Sequence, residues 1–214
     1  MTTLTTDTIA TWLRLFTSDV VADVDGLTQL DAAIGDADHG SNMERGMTAV
    51  VDGLADSPDL PGPLLKKAGM TLVSKVGGAS GPLYGTLLLR MAGAIGDSSE
   101  IDGTTLAAAL RAGLAGVVDR GHAQPGDKTM FDALNPACDA LDAALADGAA
   151  LPKALQVAAD AAAAGRDSTV DMVARKGRAS YLGERSVGHQ DPGATSAAML
   201  VDALAEAVNA TGTP

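Results

Sequence analysis

The chain has 214 residues, 46% of them hydrophobic and 20% charged, which is typical of a globular protein with a sizeable core. Its 15 basic and 27 acidic residues give a formal net charge of −12, and so acidic a surface repels phosphate backbones and argues against a nucleic-acid partner. The chain shows no apolar run of roughly 20 residues, no secretory signal and only one cysteine, so we expect a cytoplasmic protein that does not enter a membrane.

The composition favours an all-α fold, because a core with one Trp, two Tyr and two Phe must be built from Ala, Leu, Val and Met. In chain order, the spacing of apolar residues predicts eight helices and no strand. We expect them at about 7–31 and 41–54, around 65–76 and 83–95, after a cap at Thr104, from Asn135-Pro136, from Pro152 to 164 with an extension toward 176, and from Pro192. No repeat or long linker divides residues 1–214, which predicts one antiparallel helical domain.

Three carboxylates cluster at the end of the first predicted helix. Asp31 falls in its last turn, where the negative end of the helix dipole disfavours an acid, and Asp36 and Asp38 come directly after it. Three such acids repel one another unless a cation screens them, and Mg²⁺ prefers oxygen ligands. The pattern therefore predicts a metal site, although helix caps in an Asp-rich chain would use the same residues. An EF-hand is excluded, since the twelfth residue counted from Asp36 is Met47.

Two glycine-rich loops follow. The segment 76–86, VGGASGPLYGT, has small residues that let main-chain N–H groups approach a ligand at a helix start, but an ordinary tight turn explains the same letters. The segment 120–130, RGHAQPGDKTM, resembles a Walker A phosphate loop with Asp127 before Lys128. No strand precedes it, so we reject that motif, and a loop in which Asp127 caps a helix is the better interpretation.

The segment 174–196 is basic within an acidic chain. It holds Arg175, Lys176, Arg178 and Arg185, which indicates an anion site or a partner surface, or else cations that neutralise a helix C-terminus. The run 191–193, Asp-Pro-Gly, then predicts a helix start with unpaired N–H donors. Together, the four loops provide acids for a metal, main-chain anion sites and a cationic segment, a combination that suits a nucleoside diphosphate bound with Mg²⁺ at converging helix ends.

Four segments, GDADHGSNMERG, VGGASGPLYGT, PGDKTM and ARKGRASYLGERSVGHQDPGATS, resemble the nucleotide-binding L subunits of bacterial dihydroxyacetone kinases. The resemblance runs in the same order from about Trp12 to Leu204. It implies an eight-helix antiparallel barrel that holds ADP or ATP and two Mg²⁺ at one end.

The resemblance also implies roles for particular residues. Asp31, Asp36 and Asp38 match the family's metal ligands. The matching nucleotide contacts are His39, Gly40, Ser41, Asn42, Gly78, Ala79, Ser80, Gly121, Met130, Arg178, Asp191, Pro192 and Gly193. Of the cations, Arg178 is expected to contact a phosphate or the transition state, and no aspartate is assigned as a general base.

In such kinases the substrate lies in a separate K subunit or domain. The resemblance therefore implies a K-type partner that holds dihydroxyacetone and, in the phosphotransferase-system version, an M-type subunit that uses phosphoenolpyruvate to rephosphorylate the bound ADP. Two alternatives stay open: the same fold with exchangeable ATP and another substrate subunit, and a noncatalytic regulator that reports nucleotide to a transcription factor.

Overall fold

A computed structural model describes residues 2–211, and within that range the chain is all-α, as the composition predicts. The described residues form nine α-helices, at Thr6–Ala22 (α1), Val24–Ile34 (α2), His39–Asp52 (α3), Pro61–Lys75 (α4), Ser80–Ile95 (α5), Gly103–Gly121 (α6), Met130–Ala146 (α7), Leu151–Ser168 (α8) and Pro192–Thr211 (α9). Short 3-10 helices occupy Leu54–Asp56, Thr169–Asp171 and Arg178–Ser186. The described residues contain no strand beyond one antiparallel bridge between Leu4 and Ile101.

Eight of these helices form a closed ring. Neighbours along the chain pack on each other from α3 to α9, α9 packs on α1, and α1 packs on α3, which closes the circle. Short loops connect successive helices from α3 to α8, and the longer segment 169–191 leads from α8 to α9. Since each of these helices packs on the one before it, they alternate in direction around the ring. The eight-helix antiparallel barrel that the resemblance implies is therefore the observed architecture. α2 lies outside the ring order and packs mainly on α3 and α9.

The core contains few aromatic side chains, and the helices pack closely on one another instead. A Cβ built on Gly69 of α4 would lie 2.8 Å from the carbonyl oxygen of Gly85 on α5, so these two backbones almost touch. Trp12 is 1% exposed and its indole N–H donates to the carbonyl oxygen of Leu200 at 2.8 Å, which ties α1 to α9. Cys138 is also buried, and burial raises the pKa of its thiol to about 12, as expected for a core thiol rather than a nucleophile.

The first predicted helix is wrong in one respect, because it breaks at Asp23 into α1 and α2. Asp23 leaves helical geometry with φ −118° and ψ 26°, while its N–H still bonds to the carbonyl oxygen of Asp19. Leu27 and Ile34 on α2 remain buried. The break lets the second half of the apolar stripe pack against α3 instead of continuing along α1, and it leaves Asp31 in the last turn of α2 as predicted.

Two predicted helix starts are also wrong. Asp102, not Thr104, caps α6, since its carboxylate accepts a hydrogen bond from the N–H of Thr105 at 2.7 Å. α7 begins at Met130 and carries Pro136 in its interior instead of starting there. The cap of α7 is Thr129, whose hydroxyl accepts from Phe131 N–H while the Asp132 carboxylate accepts from Thr129 N–H.

No helix between residues 2 and 211 has the length and hydropathy required to span a bilayer.

Candidate functional site

A cavity of about 310 Å³ opens at one end of the ring. Its lining comes from within the segments 31–39, 78–84, 117–130, 176–179 and 191–193, which are the loops that the sequence singles out. One side carries carboxylates from the α2–α3 connection. Another part of the lining is apolar and includes Leu83, Val117 and Met130. A volume of this size suits a small organic ligand with one charged and one apolar part.

Four helices begin at the cavity. His39, Ser80, Met130 and Pro192 are the first residues of α3, α5, α7 and α9, and all four line it. These are alternate members of the ring, so the antiparallel order itself directs their N-termini to one end. The N-terminus of a helix carries partial positive charge, so the ring directs the positive ends of four helix dipoles toward one space.

The three predicted metal ligands lie together. One carboxylate oxygen from each of Asp31, Asp36 and Asp38 is within 4.8 Å of the others. Asp31 is buried, and its Oδ2 accepts hydrogen bonds from the main-chain N–H groups of Asp38 at 2.8 Å and His39 at 3.1 Å. These bonds fix the loop around the acid and leave its other oxygen for the cluster. An all-oxygen, anionic ligand set fits a hard divalent cation such as Mg²⁺.

Arg178 reaches the same cluster from a segment that packs on α2. Its Nε lies 2.8 Å from Oδ2 of Asp36, and the two side chains are 67% and 34% exposed. Arg178 starts a 3-10 helix within residues 172–189, which we call the basic loop. This loop bends at Gly177, Gly183 and Gly188, all with positive φ, a conformation that glycine adopts without strain.

A buried hydrogen-bond network joins three of the four helix N-termini. The Ser196 hydroxyl lies 3.1 Å from the Pro192 carbonyl oxygen, to which it can donate, 2.7 Å from Tyr84 Oη and 2.8 Å from His39 Nε2. If Ser196 accepts from both rings, His39 carries its proton on Nε2 and its Nδ1 accepts from the Ser80 hydroxyl, 3.1 Å away. Burial lowers the pKa of His39, with Asp31 and Asp38 opposing, which agrees with a neutral ring.

Asp191 is a buried acid at the start of α9. Its Oδ2 accepts from the N–H of Ala194 at 2.7 Å, so one of the N–H donors that the sequence leaves unpaired has a partner. Burial raises the pKa of Asp191 to about 7, with Asp132 and Asp31 adding to the effect and the Ala194 bond and Lys128 opposing it. The folded protein therefore holds a proton near neutral pH that an unfolded aspartic acid releases.

This raised pKa predicts the effect of Asp191→Asn on the ligand-free protein. From about pH 4 to pH 7 the folded state binds more protons than the unfolded state, so the contribution of Asp191 to stability falls as pH rises and stays low above pH 7. Asparagine keeps an oxygen for the Ala194 N–H but does not titrate. Urea unfolding in EDTA should show the variant more stable than the wild type at pH 8, by up to about 4 kcal/mol, and converging with it near pH 4. Parallel pH profiles would contradict the assignment.

The structure brings most of the predicted site residues to the cavity but not all. Asp31, Asp36, Asp38, His39, Gly78, Ala79, Ser80, Gly121, Met130, Arg178, Asp191, Pro192 and Gly193 line it. What they bind stays a prediction.

Gly40, Ser41 and Asn42 are not among the lining residues. Gly40 packs against the Val24 carbonyl and Thr28 on α2, and the Ser41 hydroxyl donates to the Asp38 carbonyl oxygen at 3.0 Å. The Asn42 side chain accepts from Arg45 and lies beside Gly77 and Gly78. In this structure all three residues support the loop and the helix start.

The prediction that Asp127 caps a helix is wrong. Its carboxylate accepts from the N–H of Gln124 at 2.9 Å and so closes the turn before α7. The sequence reasoning also missed Lys128, Tyr84 and Ser196. Lys128 lines the cavity and is 1% exposed, although the Walker A motif that would give it a role is absent from its segment.

Comparison with known proteins identifies the family. A family model described as the DAK2 domain matches residues 33–206. The PEP-dependent dihydroxyacetone kinase, ADP-binding subunit DhaL, of Escherichia coli K12 is 46% identical over 198 residues, which cover 92% of this chain and 94% of that protein. The L-erythrulose kinase of Pectobacterium atrosepticum is 38% identical over 193 residues, covering 89% of this chain but 33% of that kinase.

A solved structure supports the same assignment. The dihydroxyacetone kinase of C. freundii in complex with AMP-PNP and Mg²⁺ superposes with a TM-score of 0.70 at 32% identity, and the match covers 92% of this chain and 33% of that one. The match at the level of sequence and fold, together with the family model over most of the chain, leads to one conclusion: the chain belongs to the DAK2 domain family.

Proposed function

We propose that this chain is the ADP-binding subunit of a phosphoenolpyruvate-dependent dihydroxyacetone kinase. The observation that carries the proposal is the cavity, in which three clustered carboxylates face four helix N-termini and an apolar wall. The E. coli relative named for this activity matches along nearly the whole length of both chains, so the similarity is not limited to a shared module.

Mg²⁺ fits the acidic side of the cavity. Asp31, Asp36 and Asp38 offer only oxygen donors, and Asp31 is held in place by two main-chain N–H groups. Bound there, Mg²⁺ supplies positive charge that a diphosphate and an acidic chain both require. The resemblance implies two ions, and we propose that number.

The nucleotide divides between the two sides of the cavity. The diphosphate lies at the N-termini of α3 and α5, whose N-cap residues Asp38 and Ala79 make no side-chain hydrogen bond to the first turn. Its oxygens can therefore accept from main-chain N–H groups there other than that of His39, which donates to Asp31. The base lies against Leu83, Val117 and Met130, where an aromatic ring gains from leaving water.

The chain contributes electrostatics and position to the transfer step. The exposed guanidinium of Arg178 stands at the cavity mouth beside Asp36, where it can bind a phosphoryl oxygen and stabilise charge that develops during transfer. Asp36 is thus shared between Arg178 and the metal cluster. The aspartates act as ligands, and none is proposed as a general base.

The substrate and the phosphoryl donor come from partners in this proposal. A K-type subunit holds dihydroxyacetone, and an M-type subunit rephosphorylates ADP that stays bound as a coenzyme. Support comes from the E. coli relative, which is named as a subunit. It also comes from the C. freundii kinase, because the match covers 33% of that kinase's chain. We further propose that the assembly works in the cytoplasm and that residues 1–214 act as one domain.

A second candidate retains the fold but uses exchangeable ATP and a different ketose. The L-erythrulose kinase relative favours it, because a similar module there belongs to a kinase named for another sugar. In that case ADP would leave at each turnover, and the partner would hold the four-carbon ketose.

One purification and one exchange assay test these candidates. The protein is purified without added nucleotide, heat-denatured, and its supernatant is analysed for ADP and Mg²⁺. We expect close to one ADP per chain in the supernatant. In an assay reconstituted with K-type and M-type partners and dihydroxyacetone, the bound ADP should not exchange with labelled ATP within one turnover. Rapid exchange, with activity on erythrulose and free ATP, supports the second candidate. A nucleotide-free protein that fails to bind ADP in Mg²⁺ contradicts both.

A further inference from the structure

Lys128 places a charged group in the protein interior. The side chain is 1% exposed, and its Nζ lies 2.5 Å from the carbonyl oxygen of His189, 2.6 Å from that of Ser186 and 3.2 Å from that of Met172. An ammonium group has three protons, and these three acceptors use them all. The arrangement resembles a monovalent-cation site made of main-chain carbonyls, in which the lysine ammonium occupies the position of the cation.

No acid lies within ion-pair distance of this ammonium among residues 2–211. Burial lowers the pKa of Lys128, while the charges of Asp191 and Asp171 oppose that effect from a distance. Burying a charge is unfavourable unless polar groups compensate for the lost water. The ammonium group therefore requires the three carbonyls, and its hydrogen bonds in turn hold those carbonyls in place.

The three carbonyls belong to the two ends of the basic loop. Met172 begins this loop, and Ser186 and His189 lie at its close. Three further bonds secure the same base: Gly188 N–H to the Val170 carbonyl, Ala174 N–H to the Ser186 hydroxyl and Arg175 N–H to the Asp127 carbonyl. Between the two ends, the loop extends to the cavity mouth with Arg178.

We propose that Lys128 is a positioning residue: its ammonium holds both ends of the basic loop together and thereby places Arg178 against Asp36 at the cavity mouth. The link to nucleotide rests on the proposed function, whereas the effect on the loop does not. Lys128 lines the cavity, but its ammonium donates to three carbonyls of the basic loop, so it acts through the loop and Arg178.

Lys128→Gly with amine rescue tests the loop directly. Lys128 has φ 62°, which glycine adopts freely, so the variant removes the side chain without backbone strain. Hydrogen exchange at the amides of Ala174, Arg175 and Gly188 should accelerate at least about tenfold, because these bonds open when the loop loses its anchor. Amides in the middle of α5 and α9 serve as the internal control and should keep their wild-type rates.

Rescue separates positioning from general support. n-Butylammonium reproduces the missing side chain and should restore slow exchange in Lys128→Gly, while n-butanol of the same length should not. Unchanged loop exchange in the variant overturns the proposal, and so does equal rescue by the alcohol. If Lys128→Gly does not fold, Lys128→Met keeps the volume and should show the same local acceleration; exchange that rises throughout the chain in both variants also overturns it.

A double-mutant cycle then tests whether Lys128 acts through Arg178. Lys128→Gly should weaken MgADP binding about tenfold in the wild-type background but less than about twofold in an Arg178→Gln background, because the contact it positions is already lost. Equal losses in both backgrounds contradict the proposal. A wild type that does not bind MgADP refutes the proposed function alone, since the exchange experiment still decides the role of Lys128.

Discussion

Asp31→Asn is expected to lower the affinity for MgADP at least about 100-fold and to abolish phosphoryl transfer. The Oδ2 atom of Asp31 accepts from two main-chain N–H groups, so the amide oxygen of asparagine is required at that position. Its NH₂ group then faces Asp36 and Asp38, and a donor cannot bind a cation. Isothermal titration calorimetry with MgADP measures the loss.

Asp25→Asn is the matched control for this variant. Asp25 lies in the first turn of the same helix, is exposed, and loses the same charge on substitution. Its MgADP affinity should stay within about twofold of wild type, because an exposed charge outside the cavity is largely screened. Similar losses in both variants would mean that net charge, rather than the cluster, governs binding.

Gly40→Ala is expected to lower the free energy of unfolding by about 3 kcal/mol, because it overpacks a backbone contact. A Cβ at Gly40 would overlap the Val24 carbonyl oxygen and lie 3.0 Å from Thr28 N, both on α2. Since α3 must then move away from α2, the bonds from Asp38 and His39 to Asp31 should weaken and MgADP affinity should fall as well. Urea denaturation and calorimetry measure the two effects.

Gly93→Ala is the control for this variant, and it should change the free energy of unfolding in the opposite direction. Gly93 lies on the exposed side of α5, and an added Cβ there meets no atom within 4 Å. Replacing a helical glycine by alanine should raise stability by about 0.5–1 kcal/mol. A Gly40→Ala protein as stable as wild type would show that α2 and α3 are not packed as described.

The helices and the site loops were predictable from the sequence because their signals are local. Apolar spacing reports one buried helix face, and the anomalous loops differ from ordinary connections by their own composition. That these loops meet at one end follows from antiparallel order, so Asp31, Gly78 and Asp191 could be placed at a common cavity without coordinates.

The errors arose where tertiary packing overrides local signals. Asp23 breaks a continuous apolar stripe, with Gly26 against its side chain in the first turn of α2, and α2 then packs on α3 through Gly40. Asn135 and Pro136 predict a helix start, yet the capping box of Thr129 and Asp132 lies one turn and a half earlier, with aspartate in place of the usual glutamate.

Buried polar groups were the least predictable part of the site. The acceptors of Lys128 are main-chain carbonyls 44, 58 and 61 residues further along the chain, and any residue type can supply a carbonyl. Ser196 likewise lies in a run of small residues, which predicts only close helix packing. The fold brings its hydroxyl to His39 and Tyr84. The partners of such buried polar groups can be identified only from the folded structure, because the closed ring of helices brings them together.

Anomalous scattering from Mn²⁺ in crystals grown with ADP would locate the metal site, because Mn²⁺ shares the preference of Mg²⁺ for oxygen ligands. We expect two peaks in the acidic side of the cavity, bound by the carboxylates of Asp31, Asp36 and Asp38, with the diphosphate at the starts of α3 and α5. Crystals that show ADP without metal at these three carboxylates, or with the diphosphate elsewhere, would contradict it.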